Sequence, residues 1–417
     1  MCFQERKARN IAQMSLKSQT STRLKLITLV ALCAIPSCAE AYAIAWGQIH
    51  GHTGKALRDG LDFWAGGFLA LHGHLAMLFD PHAYHNFLNL AYGKLPYHLW
   101  SYPPTYLLVA SGFGWLSPWH AVLAFDACSL LLLVFLLRLS RQSWWLIAAV
   151  AASPASLENI LEHQNAALLT ALIGGGVLLL PSRPRLGGAL IGLATIKPQL
   201  GLVLPLYLLR RAPIAFAYAA CAAILLAAVS FAAFGPAAWS GFIHFTSPAM
   251  SNVLLTGQPP EFAGGLISVF ALARPLGVHA ALLIQAAFTL AAIAAAVRTK
   301  SPASLLILAA LASPYLHDYD LLGIALAVAL LLQNRLAAGF APGEPVLFFL
   351  AWFGPGLLPW APQFAHATPL ILLLLLASAA RRGGLAPCDS SQVPPVSPVL
   401  SAGRLPIPAP PSSTAPG

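Results

Sequence analysis

A few ionisable and polar side chains stand in surroundings that make them candidates for chemistry. Asp62 lies in DGLDFWAGGFLAL, where polar sequence gives way to an apolar run. A carboxylate at such a boundary can take a proton from an incoming hydroxyl, and it can equally be an exposed loop acid or a helix cap. Lys197 lies in LATIKPQL with no acidic residue within ten positions. A cation in apolar sequence suits an anionic ligand such as a phosphate, or it snorkels to an interface. The segment SPYLHDYD crowds Tyr315, His317, Asp318, Tyr319 and Asp320 between two apolar runs, and its DxD is a weak match to a divalent-ion motif. Glu158, Glu162, His163, Gln164 and Asn165 form a polar cluster ahead of the run at 165–181, able to bind hydroxyls or to cap a helix. Tyr102, Pro103 and Pro104 read as a rigid turn with an interfacial tyrosine.

The elements that carry these residues are apolar. Of 417 residues, 58% are hydrophobic and 9% charged, too few charges to coat a soluble protein of this size. Runs such as LLLLVFLL at 130–137 make this an all-α polytopic membrane protein. The net charge of +10 comes from 23 Lys and Arg placed in small groups beside apolar runs, as in cytoplasmic loops, which argues against nucleic acid as the partner. The six cysteines have no CxxC spacing and read as packing residues. Seven of the 13 histidines fall between His50 and His98 without HExxH or His/Cys ligand spacing, so no metal site and no cofactor is expected.

The chain divides into a basic cytoplasmic N-terminus at 1–23, a transmembrane domain at 24–380 and a Pro- and Ser-rich disordered cytoplasmic tail at 381–417. Within the domain, 47–102 reads as a first extracytoplasmic loop with short amphipathic helices on the membrane surface, and 236–261 as a second such loop. Many apolar runs are short. About 12 residues cover only ~18 Å of a hydrocarbon core ~30 Å thick. Arg183 and Arg185 precede the 186–209 region and Arg210 and Arg211 follow it, so it reads as a hairpin of half-length helices with Lys197 and Pro198 at the tip. Arg298 with Lys300 and Arg335 bracket a second hairpin with SPYLHDYD at its tip. Helix breaks at membrane depth are tolerated where they line a wet cavity, so two such tips predict one, facing the outer side.

In order along the chain, DFWAGGFLALHG, an LFDP step, SYPPTYLL, EHQNAALLTAL, RPRLGGALIGLATIKPQLGLVLPLYLLRR and ASPYLHDYDLLGIALA resemble the bacterial membrane glycosyltransferases of family 87, relatives of the polyprenol-phosphate-mannose-dependent alpha-(1,2)-mannosyltransferases. The resemblance implies a GT-C-type bundle of roughly 10–12 membrane helices, several half-length, with a structured first extracytoplasmic loop. It implies Asp62 as the catalytic base, Lys197 and His317 at the donor phosphate, and Tyr102, His163, Gln164, Asn165, Tyr319 and Asp320 at the substrate. Ser313 and Pro314 complete the family's SP-H-x-YD segment, whereas His163 stands where its GQxN element has glycine. The implied activity is inverting transfer of a sugar, mannose foremost, from a polyprenyl phosphate to an extracytoplasmic lipid or glycan acceptor at a bacterial inner membrane, the active site facing the periplasm. Two other readings compete: a lipid or solute transporter, and a noncatalytic subunit of envelope-polysaccharide assembly. The dense polar stretch outside the membrane favours the enzyme.

Overall fold

A computed structural model describes Leu57 and residues 59–93, 95, 98–259, 263–357 and 363–382. The basic N-terminus, the first membrane helix expected before residue 47 and the tail beyond Arg382 lie outside the described residues. The fold is an all-α multi-span bundle. Four described helical stretches are long and apolar enough to cross a membrane: Pro118–Leu139, Pro213–Thr256, Val278–Ala296 and Asp318–Leu336. The bent pair Trp144–Ala151 and Pro154–Leu161 makes a fifth if it is one span, and shorter apolar helices such as Pro184–Ile196 and Pro302–Ala312 pack among them. Length alone therefore gives fewer crossings among the described residues than the 10–12 expected. Leu131, Phe135, Ile224, Leu225, Leu283 and Leu290 are exposed on the long helices, as on a lipid-facing surface.

Both expected hairpins are present. Helix Pro184–Leu193 tightens at Ala194–Ile196 and breaks at Lys197, whose φ of −138° and ψ of 73° are not helical. Pro198 is the cause, since its ring disfavours helical backbone in the preceding residue. The chain then returns through Pro198–Gly201 and Leu204–Arg211. Gly188 lies against Ala215 and Gly192 against Ala219, so the 184–193 helix runs parallel to Pro213–Gly241, which requires the intervening residues to double back. In the second hairpin, Pro302–Ala312 is apolar on every side and all its residues from Ala303 are buried, as expected of a core helix. It packs against Leu322–Ala338 across the turn at 313–321.

The 47–102 segment holds three described helices, Gly60–Leu71, Leu75–Leu78 and Pro81–Tyr92. The LFDP step is a helix start: Asp80 Oδ1 accepts from the N–H groups of His82 (2.9 Å) and Ala83 (3.0 Å), with Pro81 in the first turn. Helix Pro81–Tyr92 buries Tyr84 and Leu88 and leaves its other face open. The paired glycines of the 60–71 helix permit close packing. A Cβ at Gly66 would fall 2.2 Å from the Trp100 ring, and one at Gly67 would fall 2.1 Å from the Ala110 carbonyl oxygen of helix Pro104–Ser111.

The segment read as a second loop at 236–261 is instead helical as far as Thr256, running through Phe242–Thr246 and Ser247–Thr256. The break from the long helix before it is a single residue, Gly235 with φ 72°, set by Pro236 behind it. At the other end, Gln363–Arg382 remains helical through the first two residues assigned to the tail.

Gly67→Ala is expected to lower stability by about 1–3 kcal/mol or more, because the Ala110 backbone cannot yield as a flexible side chain would. Thermal melting in detergent should show this loss, and no loss for Gly354→Ala, where an added Cβ meets nothing within 4 Å.

Candidate active site

A cavity of about 770 Å³ lies between the 59–103 segment, the tips of both hairpins and the 242–254 arm. Asp62, Tyr102, Gln164, Lys197, His317 and Tyr319 all line it, so six of the nine residues that the resemblance assigned to the site meet there. Asp59, Glu162 and Asp318 line it too.

Asp62 sits in the first turn of the 60–71 helix and is 7% exposed. Its carboxylate is held by two groups. The Tyr84 hydroxyl donates to Oδ1 at 2.7 Å, and His98 Nδ1 lies 3.3 Å from both oxygens. Burial alone would lower the His98 pKa, but the charge of Asp62, the hydrogen bond to it and the charge of Asp59 outweigh burial and hold it above its ordinary value. Behind Asp62, Phe63 packs against Tyr102, Tyr106 and Phe125, fixing the helix face that carries the acid.

Lys197 is not unpaired, as its sequence neighbourhood implied. Its Nζ donates to Asp320 Oδ1 at 2.5 Å and lies 5.0 Å from the centre of the Tyr319 ring. Asp320 therefore faces Lys197 rather than the cavity; its Oδ2 accepts from the His317 backbone N–H at 3.2 Å. The two acids of the DxD are engaged separately, since Asp318 Oδ1 accepts from the Tyr319 N–H at 2.9 Å and lines the cavity. Among the described residues, no group of three His, Cys, Asp or Glu is arranged to hold a metal ion. His317 stacks on Tyr319 with ring centres 4.8 Å apart and planes 7° from parallel. The tip is tied to a neighbouring loop by backbone bonds from Ile267 N–H to Leu316 and from Asp318 N–H to Gly265.

The HQN triplet separates. Gln164 lines the cavity, where its Nε2 donates to Asp59 Oδ2 at 2.6 Å and its Oε1 accepts from the Tyr102 hydroxyl at 3.3 Å. His163 turns away to Asp126 Oδ2, 2.7 Å from Nδ1, and Asn165 is buried outside the cavity lining. Consecutive residues in a tight turn cannot all face one side, which sequence grouping overlooked.

Asp59, Tyr84, His98 and Asp126 were not singled out for the site. Asp126 had a signal, as the one acidic residue inside the apolar stretch 118–139. Tyr84 and His98 had none, because their contact with Asp62 spans 22 and 36 positions.

Two outcomes follow. Lys197→Met is expected to destabilise the fold by about 3–5 kcal/mol, since it leaves Asp320 as an unpaired buried charge, and adding Asp320→Leu should recover most of the loss in detergent melts. For the His98–Asp62 pair, a raised folded-state pKa means a contribution fully present below about pH 6.5 and lost as pH rises through the raised value. The melting-temperature gap between wild type and His98→Gln should therefore narrow from pH 6 to pH 9.

Comparison with known proteins places the chain. The sequence model of glycosyltransferase family 87 matches residues 100–316, more than half of the 417. The matched stretch contains Tyr102, the HQN triplet and Lys197, while Asp62 precedes it and His317, Tyr319 and Asp320 follow it. No curated protein and no solved structure matches. With its multi-span helical bundle and more than half its length in the family's sequence pattern, the chain belongs to glycosyltransferase family 87 and is a membrane-embedded glycosyltransferase.

Proposed function

We propose that the protein transfers a sugar, with mannose the leading candidate, from a polyprenyl phosphate to a hydroxyl of an extracytoplasmic lipid or glycan, with inversion at the anomeric carbon. The observation that carries this reading is the presence, in one cavity, of a buried carboxylate braced by two donors and a buried ammonium on a hairpin tip.

Asp62 acts as general base. It takes the proton of the acceptor hydroxyl while that oxygen attacks the anomeric carbon; the bond from carbon to the phosphate oxygen breaks, and its electron pair leaves with the lipid phosphate. Tyr84 and His98 keep the carboxylate aimed, because a side chain with two donors on it cannot turn freely. Lys197 offers three N–H bonds, of which Asp320 takes one, and the others meet the phosphate as negative charge grows on it. His317 adds an N–H donor, and Tyr319, stacked on it, limits how a sugar ring can lie. Gln164, held by Asp59 and Tyr102, offers further hydrogen bonds to hydroxyls. Hydrogen bonds and one cation suffice to stabilise a departing phosphate monoester, so the reaction requires no metal. The cavity opens towards the periplasm of a bacterial inner membrane, with the basic N-terminus and the tail on the cytoplasmic side.

The test compares membranes containing wild type, Asp62→Asn or no protein, each supplied with radiolabelled polyprenyl-phosphate-mannose, with expression checked. Wild type should move label into membrane lipid or glycan, and Asp62→Asn, nearly the same shape but unable to take the proton, should lose about a hundredfold or more of the rate. Undiminished transfer by the variant would remove Asp62 from the base role, and no transfer by wild type would exclude this donor.

A further inference from the structure

Asp126 is a buried acid that the proposed mechanism does not use. It stands in the apolar helix Pro118–Leu139, and its hydrogen bond among the described residues, of 2.7 Å, goes to His163. His163 has a φ of 51°, in the left-handed region that glycine tolerates and a histidine adopts at a cost in free energy. The reason lies in how helix Pro154–Leu161 ends. The His163 N–H reaches the Ile160 carbonyl at 3.2 Å and the Gln164 N–H reaches the Asn159 carbonyl at 2.8 Å, the paired bonds of a Schellman turn, whose left-handed position is usually glycine. Immediately after that turn comes Gln164, which bonds Asp59 and Tyr102 on the cavity wall. His163 also presses on the start of the helix that carries Asp62, for a Cβ at Gly60 would come within 2.8 Å of the His163 Cβ.

We infer that Asp126 and His163 are a positioning pair: the buried carboxylate anchors a histidine in a conformation it would otherwise leave, and the anchored turn sets Gln164 and Asp59 in the sugar-binding wall. This is a cost worth meeting only if the turn matters, because a carboxylate inside an apolar helix is itself unfavourable. Asp126 acts through His163 and touches no substrate. The link from the turn to sugar transfer rests on the function proposed above; the link from Asp126 to the turn does not.

Two readouts separate those links. In an otherwise cysteine-free protein bearing Gln164→Cys, the rate of maleimide labelling at position 164 is measured with Asp126 intact, with Asp126→Ala, and with Asp126→Ala combined with His163→Gly. In the same three backgrounds with Gln164 retained, kcat and the donor KM are measured per unit of monodisperse protein, using polyprenyl-phosphate-mannose. Asp126→Ala should change the labelling rate by about threefold or more and raise the donor KM by about tenfold, and His163→Gly, which holds the left-handed turn without an anchor, should reverse most of both. A pair that served only stability would lower folded yield and leave the KM of the folded fraction unchanged. If Asp126→Ala fails to accumulate, repair by His163→Gly supports the same dependence and lack of repair overturns it. Labelling and KM untouched by Asp126→Ala, or altered but not reversed by glycine, also overturn the inference. Absence of transfer by wild type would count against the proposed donor, while labelling alone still decides whether Asp126 holds the turn.

Discussion

One buried contact governs the architecture around the cavity, the ion pair between Lys197 and Asp320. The two residues are 123 positions apart and belong to different hairpins, and each is almost wholly removed from solvent. Neither charge is tolerable there alone, since an isolated ion in an apolar interior costs several kcal/mol after relaxation. Each tip is therefore acceptable only because the other supplies its partner. Pro198 breaks the first helix where the lysine is needed, and Asp320 uses its second oxygen to cap the backbone at His317. The pair also fixes Tyr319 beneath the ammonium and His317 against Tyr319. The ammonium that lines the cavity thus comes already paired with an acid, and the same requirement of charge neutrality locks two helix breaks together.

The opposite wall follows a different logic. Asp62 meets no cation from a hairpin; it is held by a tyrosine and a histidine from the segment that follows it. That arrangement depends on backbone approach. Gly66 and Gly67 let Trp100 and helix Pro104–Ser111 come close to the 60–71 helix, and Asp62, one turn before Gly66 on the same side of that helix, lines the cavity. Asp59 and Gln164 join this wall to the turn after the 154–161 helix. The carboxylate side is thus built by glycine packing and hydrogen bonds, the ammonium side by an ion pair.

What could be read in the sequence was what depends on neighbours along the chain. Low charge and long apolar runs give a helical membrane protein, and proline beside lysine in an apolar run gives a helix break. Basic pairs flanking 186–209 give a hairpin, which the parallel packing of Gly188 and Gly192 on Ala215 and Ala219 bears out. Asp62 and Lys197 stood out because polar groups at or within apolar sequence need a reason, Gln164 as one of a polar cluster, and all three line the cavity. Contacts across long separations could not be read. The absence of an acid near Lys197 in sequence concealed one in space, and Tyr84 and His98 looked like ordinary loop residues. The HQN triplet read as one unit although a helix-ending turn directs its members differently. The stretch at 236–256, read as a loop, is helical after the single kink at Gly235 that precedes it.

The most direct test of the central claim, that the carboxylate and the ion-paired ammonium face one substrate across the cavity, is a structure of the protein in lipid nanodiscs with a non-transferable polyprenyl-phosphonate mannose. The account predicts the phosphonate within hydrogen-bonding distance of Lys197 Nζ, with the Lys197–Asp320 pair intact and the anomeric carbon turned towards the Asp62 side of the cavity. A phosphonate bound away from Lys197, or a sugar lodged outside the cavity while Asp62 stays bonded to Tyr84 and His98, would contradict it.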